Sequence, residues 1–172
     1  MTLPAAQSEI FLHPGDLWFG GEQTRVRTIL GSCVAVTLWH PQRRIGGMCH
    51  YMLPDGSRRG KRRDGRYAEE AISLLRDQVV LYRTLPHEYE AKLFGGGNMF
   101  NLPSSSNREC TTVSDRNIAI ARQLMARYGF RIKAEHLGGQ GHRNIIFEVD
   151  NGDVWVRQTP LQPEIVLGDP SR

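Results

Sequence analysis

Cysteine is scarce and unpaired in this sequence: Cys33, Cys49 and Cys110 are an odd set of three in 172 residues, with no C-x-x-C step. That argues against a secreted disulfide framework and, without paired ligands, against a structural zinc site. Long apolar runs are missing too, since nothing approaches the ~20 residues a membrane span needs. The opening stretch "MTLPAAQSEIFLHPGD" has neither a basic n-region nor a continuous apolar h-region, so no signal peptide is expected and the expected location is the cytoplasm. Gly60-Lys61 is followed by arginine, not by the Ser or Thr that would hold magnesium in a phosphate loop. No internal repeat, low-complexity tract or long linker divides the chain.

Hydrophobic residues make up 40% and charged residues 23%, the balance of a globular domain. The length fits one domain, residues 1–172, with a proline-bearing tail from about 160 expected to be loosely ordered. A chain of this size buries roughly 70% of its extended surface, so it needs no staple. The formal charge of +4 is concentrated in "GSRRGKRRDGR", residues 56–66, with six basic residues and one aspartate. Such a run is either a solvated loop or a docking patch for an acidic partner. Nucleic acid is the weaker option, because no aromatic residues interleave to stack on bases.

Apolar stretches flanked by Gly and Pro read as strands: "SEIFLH", "TRVRTIL", "CVAVTLW" and "RIGGMCHYML", then "FRIKAEHL", "RNIIFEVD" and "DVWVRQT". Asn151-Gly152 is a strong hairpin signal between the last two. Helical spacing runs from about Asp64 to Tyr82, and again from an N-cap at Ser114 to Tyr128, with Gly129 placed to end the second helix. The expected class is α+β, a layered domain with a mostly antiparallel sheet and two main helices. "FGGGNMF" and "LGGQGHR" are read as tight turns where backbone approaches something closely.

The chemistry-bearing residues flank "HPQRR". A turn centred on Pro41-Gln42 would set Cys33 directly opposite His50 on an antiparallel pair, within reach of a thiol–imidazole hydrogen bond. Val34, Val36 and Cys49 then share the other, apolar face, which makes Cys49 the core cysteine. A slip of two residues would keep Cys33 and His50 on one face, and a slip of one would separate them. Taken alone, Cys33 also fits a buried small hydrophobe. The remaining histidines, at 13, 40, 87, 136 and 142, are expected in surface or capping roles.

"LGSCVAV", "GGMCHYMLP", "GRYAEEAISLL", "KLFGGGNMF", "DRNIAIARQLM" and "LGGQGHRNIIFEV", in that order, resemble the CheD family of chemoreceptor glutamine deamidases. The resemblance implies a protein-glutamine glutaminase with Cys33 as nucleophile, His50 as general base and acid, and Thr28 as third member. It implies a layered sandwich similar to the catalytic domain of cytotoxic necrotizing factor toxins. Its implied partners are the cytoplasmic helices of methyl-accepting receptors and, for some members, a CheC-type phosphatase. Some members also hydrolyse glutamyl methyl esters. Backbone N–H groups near Gly31 and Ser32 are the expected oxyanion donors, and no metal or organic cofactor is called for. The rival expectations are a non-enzymatic adaptor and, more distantly, an RNA-binding domain.

Overall fold

The structure is a computed structural model and describes residues 6–56, 62–100 and 111–162. Among the described residues, nine strands and two α-helices form three layers: β1 (Ser8–Phe11), β2 (Leu17–Gly21), β3 (Thr24–Leu30), β4 (Val34–His40), β5 (Ile45–Tyr51), α1 (Ala68–Leu81), β6 (Glu90–Gly95), α2 (Val113–Arg127), β7 (Arg131–Leu137), β8 (His142–Glu148) and β9 (Val154–Thr159). One sheet runs β1-β3-β8-β9 and the other β2-β5-β4-β6-β7. Five of the seven strand pairings are antiparallel; β1 with β3 and β6 with β7 are parallel. The expected α+β class is the one found.

Strands β4 and β5 are sandwiched on both faces, which explains why they read as near-continuous apolar runs. On the helix side, Val34, Val36, Leu38 and Cys49 pack with Ile72, Leu75 and Leu124. On the other side, Ala35, Met48 and Phe94 meet Val26, Leu30, Ile145 and Phe147 of the first sheet. His50 and Thr28 are buried polar residues among these layers. Strands β2 and β6 had no counterpart in the sequence reading: "LWFGG" lacks a β-branched residue, and the glycines of "KLFGGG" mask its strand half.

Both hairpins close with four residues where the sequence suggested tighter turns. His40 pairs with Ile45, the Arg44 N–H donates to the His40 carbonyl, and Arg44 takes a left-handed φ of 50°. In the second hairpin the Gly152 N–H donates to the Glu148 carbonyl, with φ 79° at Gly152. Proline fits the first position of such a loop, and a residue tolerating positive φ its last.

Helix α1 begins at Ala68, four residues later than its spacing suggests. Residues 64–67 form a turn instead, with Tyr67 N–H on the Asp64 carbonyl. Helix α2 is capped by Thr112, whose hydroxyl accepts the Asp115 N–H, and not by Ser114. The Ser114 hydroxyl is buried and donates to the Gly97 carbonyl at 2.8 Å. Gly129 ends α2 with φ 80°, and Phe130 N–H returns to the Met125 carbonyl, as a Schellman end requires.

Of the basic stretch, residues 57–61 lie outside the described residues, as does Cys110. Arg63 reaches Asp77 at 2.6 Å and Arg66 reaches Asp64 at 2.6 Å, so part of this charge is compensated locally. The tail expected from about 160 lies mostly beyond the described residues, which end at 162.

Candidate active site

The four-residue loop shifts the β4–β5 register by two from the tight-turn expectation. Ala35, and not Cys33, faces His50. Because a strand's side chains alternate with period two, the shift preserves the face. Cys33 packs against the inter-sheet core, immediately before β4 and two residues from Ala35, the partner of His50. The expected direct hydrogen bond between Cys33 and His50 is not formed: His50 Nε2 is buried and has no hydrogen-bond partner. Cys33 is half-buried and Cys49 fully buried.

The other ring nitrogen is occupied. Thr28 Oγ1 lies 2.8 Å from His50 Nδ1 and 2.8 Å from the Leu12 carbonyl oxygen. A carbonyl can only accept, so the single hydroxyl proton goes to Leu12 O, and the hydroxyl must accept from Nδ1–H. That fixes the tautomer. Nε2 carries the bare lone pair, free to take a proton. The bond also spans the two sheets, since Thr28 lies on β3 and His50 on β5.

Burial decides the charge state at rest. It lowers the His50 pKa to about 4, and the Asp16 carboxylate opposes that shift without cancelling it. Burial also raises the Cys33 pKa, partly countered by the residue's own N–H. The resting pair at neutral pH is therefore thiol and neutral imidazole, not an ion pair. Cys49 is pushed up to about 12 by complete burial and is chemically quiet.

Residues 31–33 connect β3 to β4, and their carbonyls are all engaged. Gly31 O accepts from Gly97 N–H at 2.9 Å, Ser32 O from Asn117 Nδ2 at 3.1 Å, and Cys33 O from Gly96 N–H at 2.8 Å. Among the described residues, the N–H groups of Gly31, Ser32 and Cys33 donate to no turn or loop carbonyl. The two glycine motifs do what their composition suggests. A Cβ on Gly95 would collide with Cys33 O, and one on Gly97 with Gly141 O.

Behind them lies a residue the sequence reading did not single out. Arg143, 2% exposed, donates to Gly95 O at 3.2 Å, to Gly138 O, and to His136 Nδ1 at 2.8 Å. His136 is thus a partner of a buried guanidinium. Asp16 is a second omission: its carbonyl accepts the His50 N–H at 3.1 Å, and the preceding Gly15 N–H donates to His50 O at 2.8 Å. Among the described residues, no cluster of three His, Cys, Asp or Glu side chains is placed to hold a metal ion. No described helix is long and apolar enough to cross a membrane.

Fold and site together define a two-sheet α+β domain with a thiol and a tautomer-fixed imidazole on one sheet face. The family model for CheD, described as CheD chemotactic sensory transduction, matches residues 52–158. A "Probable chemoreceptor glutamine deamidase CheD" of Pseudomonas savastanoi pv. phaseolicola is 48% identical over 94% of this chain and 91% of its own. A "Probable chemoreceptor glutamine deamidase CheD 3" of Dechloromonas aromatica is 46% identical over 89% of each chain. A relative in Leptospira interrogans, "Probable chemoreceptor glutamine deamidase CheD 1", is 34% identical over 90% of this chain and 95% of its own. The chain belongs to the CheD family.

Proposed function

We propose that this protein deamidates glutamine side chains of chemoreceptors to glutamate, with Cys33 as nucleophile and His50 as general base and acid. The observation that carries this reading is the imidazole. Its Nδ1 proton is committed to Thr28, and its Nε2 is buried, unpartnered and on the same sheet face as a half-buried thiol. A buried acceptor without a partner costs about 1–3 kcal/mol, a cost that a purely structural histidine would avoid.

The steps follow from these groups. Cys33 transfers its proton to His50 Nε2 as the sulfur attacks the side-chain amide carbon, so the neutral resting pair becomes thiolate and imidazolium only along the reaction. The Cys33–His50 contact tightens when substrate docks, as catalytic hydrogen bonds do. Negative charge collects on the amide oxygen, toward the N–H groups of Gly31, Ser32 and Cys33, which among the described residues donate to no turn or loop carbonyl. Imidazolium protonates the departing ammonia, leaving a thioester. Water, deprotonated by the same Nε2, cleaves the thioester to glutamate and restores the thiol. A glutamyl methyl ester would enter by the same attack with methanol leaving, which extends the reading to ester hydrolysis.

The names of the relatives point to a chemoreceptor as the macromolecular substrate. Action on receptor cytoplasmic helices calls for a location in the cytoplasm, which fractionation of cells tests. A CheC-type phosphatase as a further partner is tested by co-sedimentation with the purified proteins.

The deciding experiment is incubation with a receptor cytoplasmic fragment, followed by peptide mass spectrometry for amide-to-acid conversion. Conversion that disappears in Cys33→Ala supports the reading. Full conversion by that variant would falsify it.

A further inference from the structure

The carboxamide of Asn117 occupies an unusual position. It is fully buried on α2, and its Nδ2 donates to two carbonyls, Ser32 O at 3.1 Å and Met52 O at 2.8 Å. Ser32 immediately precedes Cys33, and Met52 lies two residues beyond His50. One side chain therefore ties the nucleophile's loop to the end of the histidine's strand. Tyr51 fastens the helix at the same point, its hydroxyl donating to the Asn117 carbonyl at 2.5 Å.

This arrangement leaves the Asn117 Oδ1 buried with no partner. The amide cannot be turned to relieve it, because both facing groups are acceptors and only the NH2 end can serve them. An orphaned oxygen is thus retained while two carbonyls are gripped. Buried polar groups left in that state call for an explanation beyond packing.

The peptide plane supplies one. Ser32 C=O and Cys33 N–H belong to a single planar trans peptide and point in opposite directions. Drawing the carbonyl back toward α2 turns the Cys33 N–H outward, toward its own sulfur, where that N–H already favours the thiolate. The preceding peptide is held too, since Gly97 N–H donates to Gly31 O at 2.9 Å.

We infer that Asn117 is a positioning residue that aims the Cys33 N–H at the oxyanion of the tetrahedral intermediate. This rests on the deamidase reading above. Asn117 touches neither substrate nor sulfur; it acts through one peptide group.

Two reactions of the same thiol separate this role from general support. Deamidation passes through a tetrahedral oxyanion, whereas alkylation of Cys33 by iodoacetamide displaces iodide at a saturated carbon and forms none. In Asn117→Asp and Asn117→Ser, kcat toward a receptor cytoplasmic fragment should fall about 10- to 100-fold, somewhat less than outright loss of an oxyanion donor. KM, and the Cys33 alkylation rate per thiolate read from its pH profile, should stay within about threefold, since a repositioned N–H changes the thiolate fraction but not displacement at a saturated carbon. Unchanged kcat in folded variants overturns the inference, as does a matching fall in alkylation. If neither variant folds, amide hydrogen exchange on the native protein decides: fast exchange at Ser32 and Cys33 upholds it, and protection equal to that of Val36 overturns it. Native protein that alkylates normally but deamidates nothing defeats the parent reading and the inference with it, whereas unchanged kcat in an Asn117 variant of an active enzyme defeats the inference alone.

Discussion

Asp16 and His50 are coupled twice: the Asp16 carbonyl accepts the His50 N–H at 3.1 Å, and the Asp16 carboxylate is the charge that most favours the imidazolium. Thr28 can orient the ring but carries no charge to stabilise its protonated form. Asp16 supplies that charge through space, from a half-exposed position where it also receives the His13 N–H at 2.8 Å. Asp16→Asn keeps an oxygen for His13 N–H and removes only the charge. The expected result is a fall in kcat of about tenfold, corresponding to ~1.4 kcal/mol, with KM unchanged. Steady-state kinetics on a receptor fragment checks it, and undiminished kcat would remove Asp16 from the mechanism.

His50 also predicts a pH dependence of stability. Its folded pKa is lowered to about 4, against an ordinary value of 6.5. Between these values the unfolded chain binds the proton that the folded protein refuses, so stability rises with pH across this window. The contribution is complete above about pH 6.5 and is lost as pH falls toward 4, at most roughly 3 kcal/mol. Urea denaturation of native protein and His50→Gln, from pH 7 down to 4.5, should show the native curve falling more steeply. Parallel curves would mean that His50 titrates normally.

Much of this site was legible because β-strand parity survives error. The hairpin loop is four residues, not two, yet Cys33 and His50 still share a face and Cys49 still faces the helices. Left-handed Arg44 concealed the loop length, since arginine carries no turn signal of the kind glycine gives. Thr28 could be named from family resemblance, but its role as acceptor from Nδ1–H depends on Leu12 O, a backbone atom that no side-chain pattern discloses. Arg143, Asn117 and Asp16 escaped for a related reason. Each acts on backbone groups distant in sequence, at positions where its residue type would be unremarkable on a strand, helix or turn.

The electrostatics at Cys33 predict slow, pH-dependent alkylation. With its thiol raised above the ordinary range and His50 neutral, little thiolate exists at pH 7. The iodoacetamide rate at Cys33 should climb with pH through 8 and beyond, without the flat neutral plateau of a preformed thiolate–imidazolium pair. Cys49, buried and pushed up to about 12, should stay unlabelled until the protein unfolds. Peptide mapping after timed labelling reads both. A plateau between pH 5 and 8 would mean that the ion pair exists at rest.

Thr28 offers the sharpest test of the tautomer. Thr28→Ser retains the hydroxyl between Leu12 O and His50 Nδ1, while Thr28→Val keeps the shape and strands both groups in the interior. Burying two unpaired polar groups should cost Thr28→Val about 2–4 kcal/mol of stability, and Thr28→Ser less than about 1.5. Activity should separate the two further. Without an acceptor on the Nδ1 side, the ring loses the bond that keeps the proton off Nε2, so Thr28→Val loses its general base in a fraction of molecules as well as its aim. A kcat reduction of about 10- to 100-fold in Thr28→Val, with near-native turnover in Thr28→Ser, is expected, below the 10²–10⁴-fold typical of removing a general base outright. In native protein the ¹⁵N shifts of His50 at pH 7 should show a protonated Nδ1 and a bare Nε2. The opposite pattern would place the thiol beside a nitrogen unable to accept its proton, and His50 could not then act as the base.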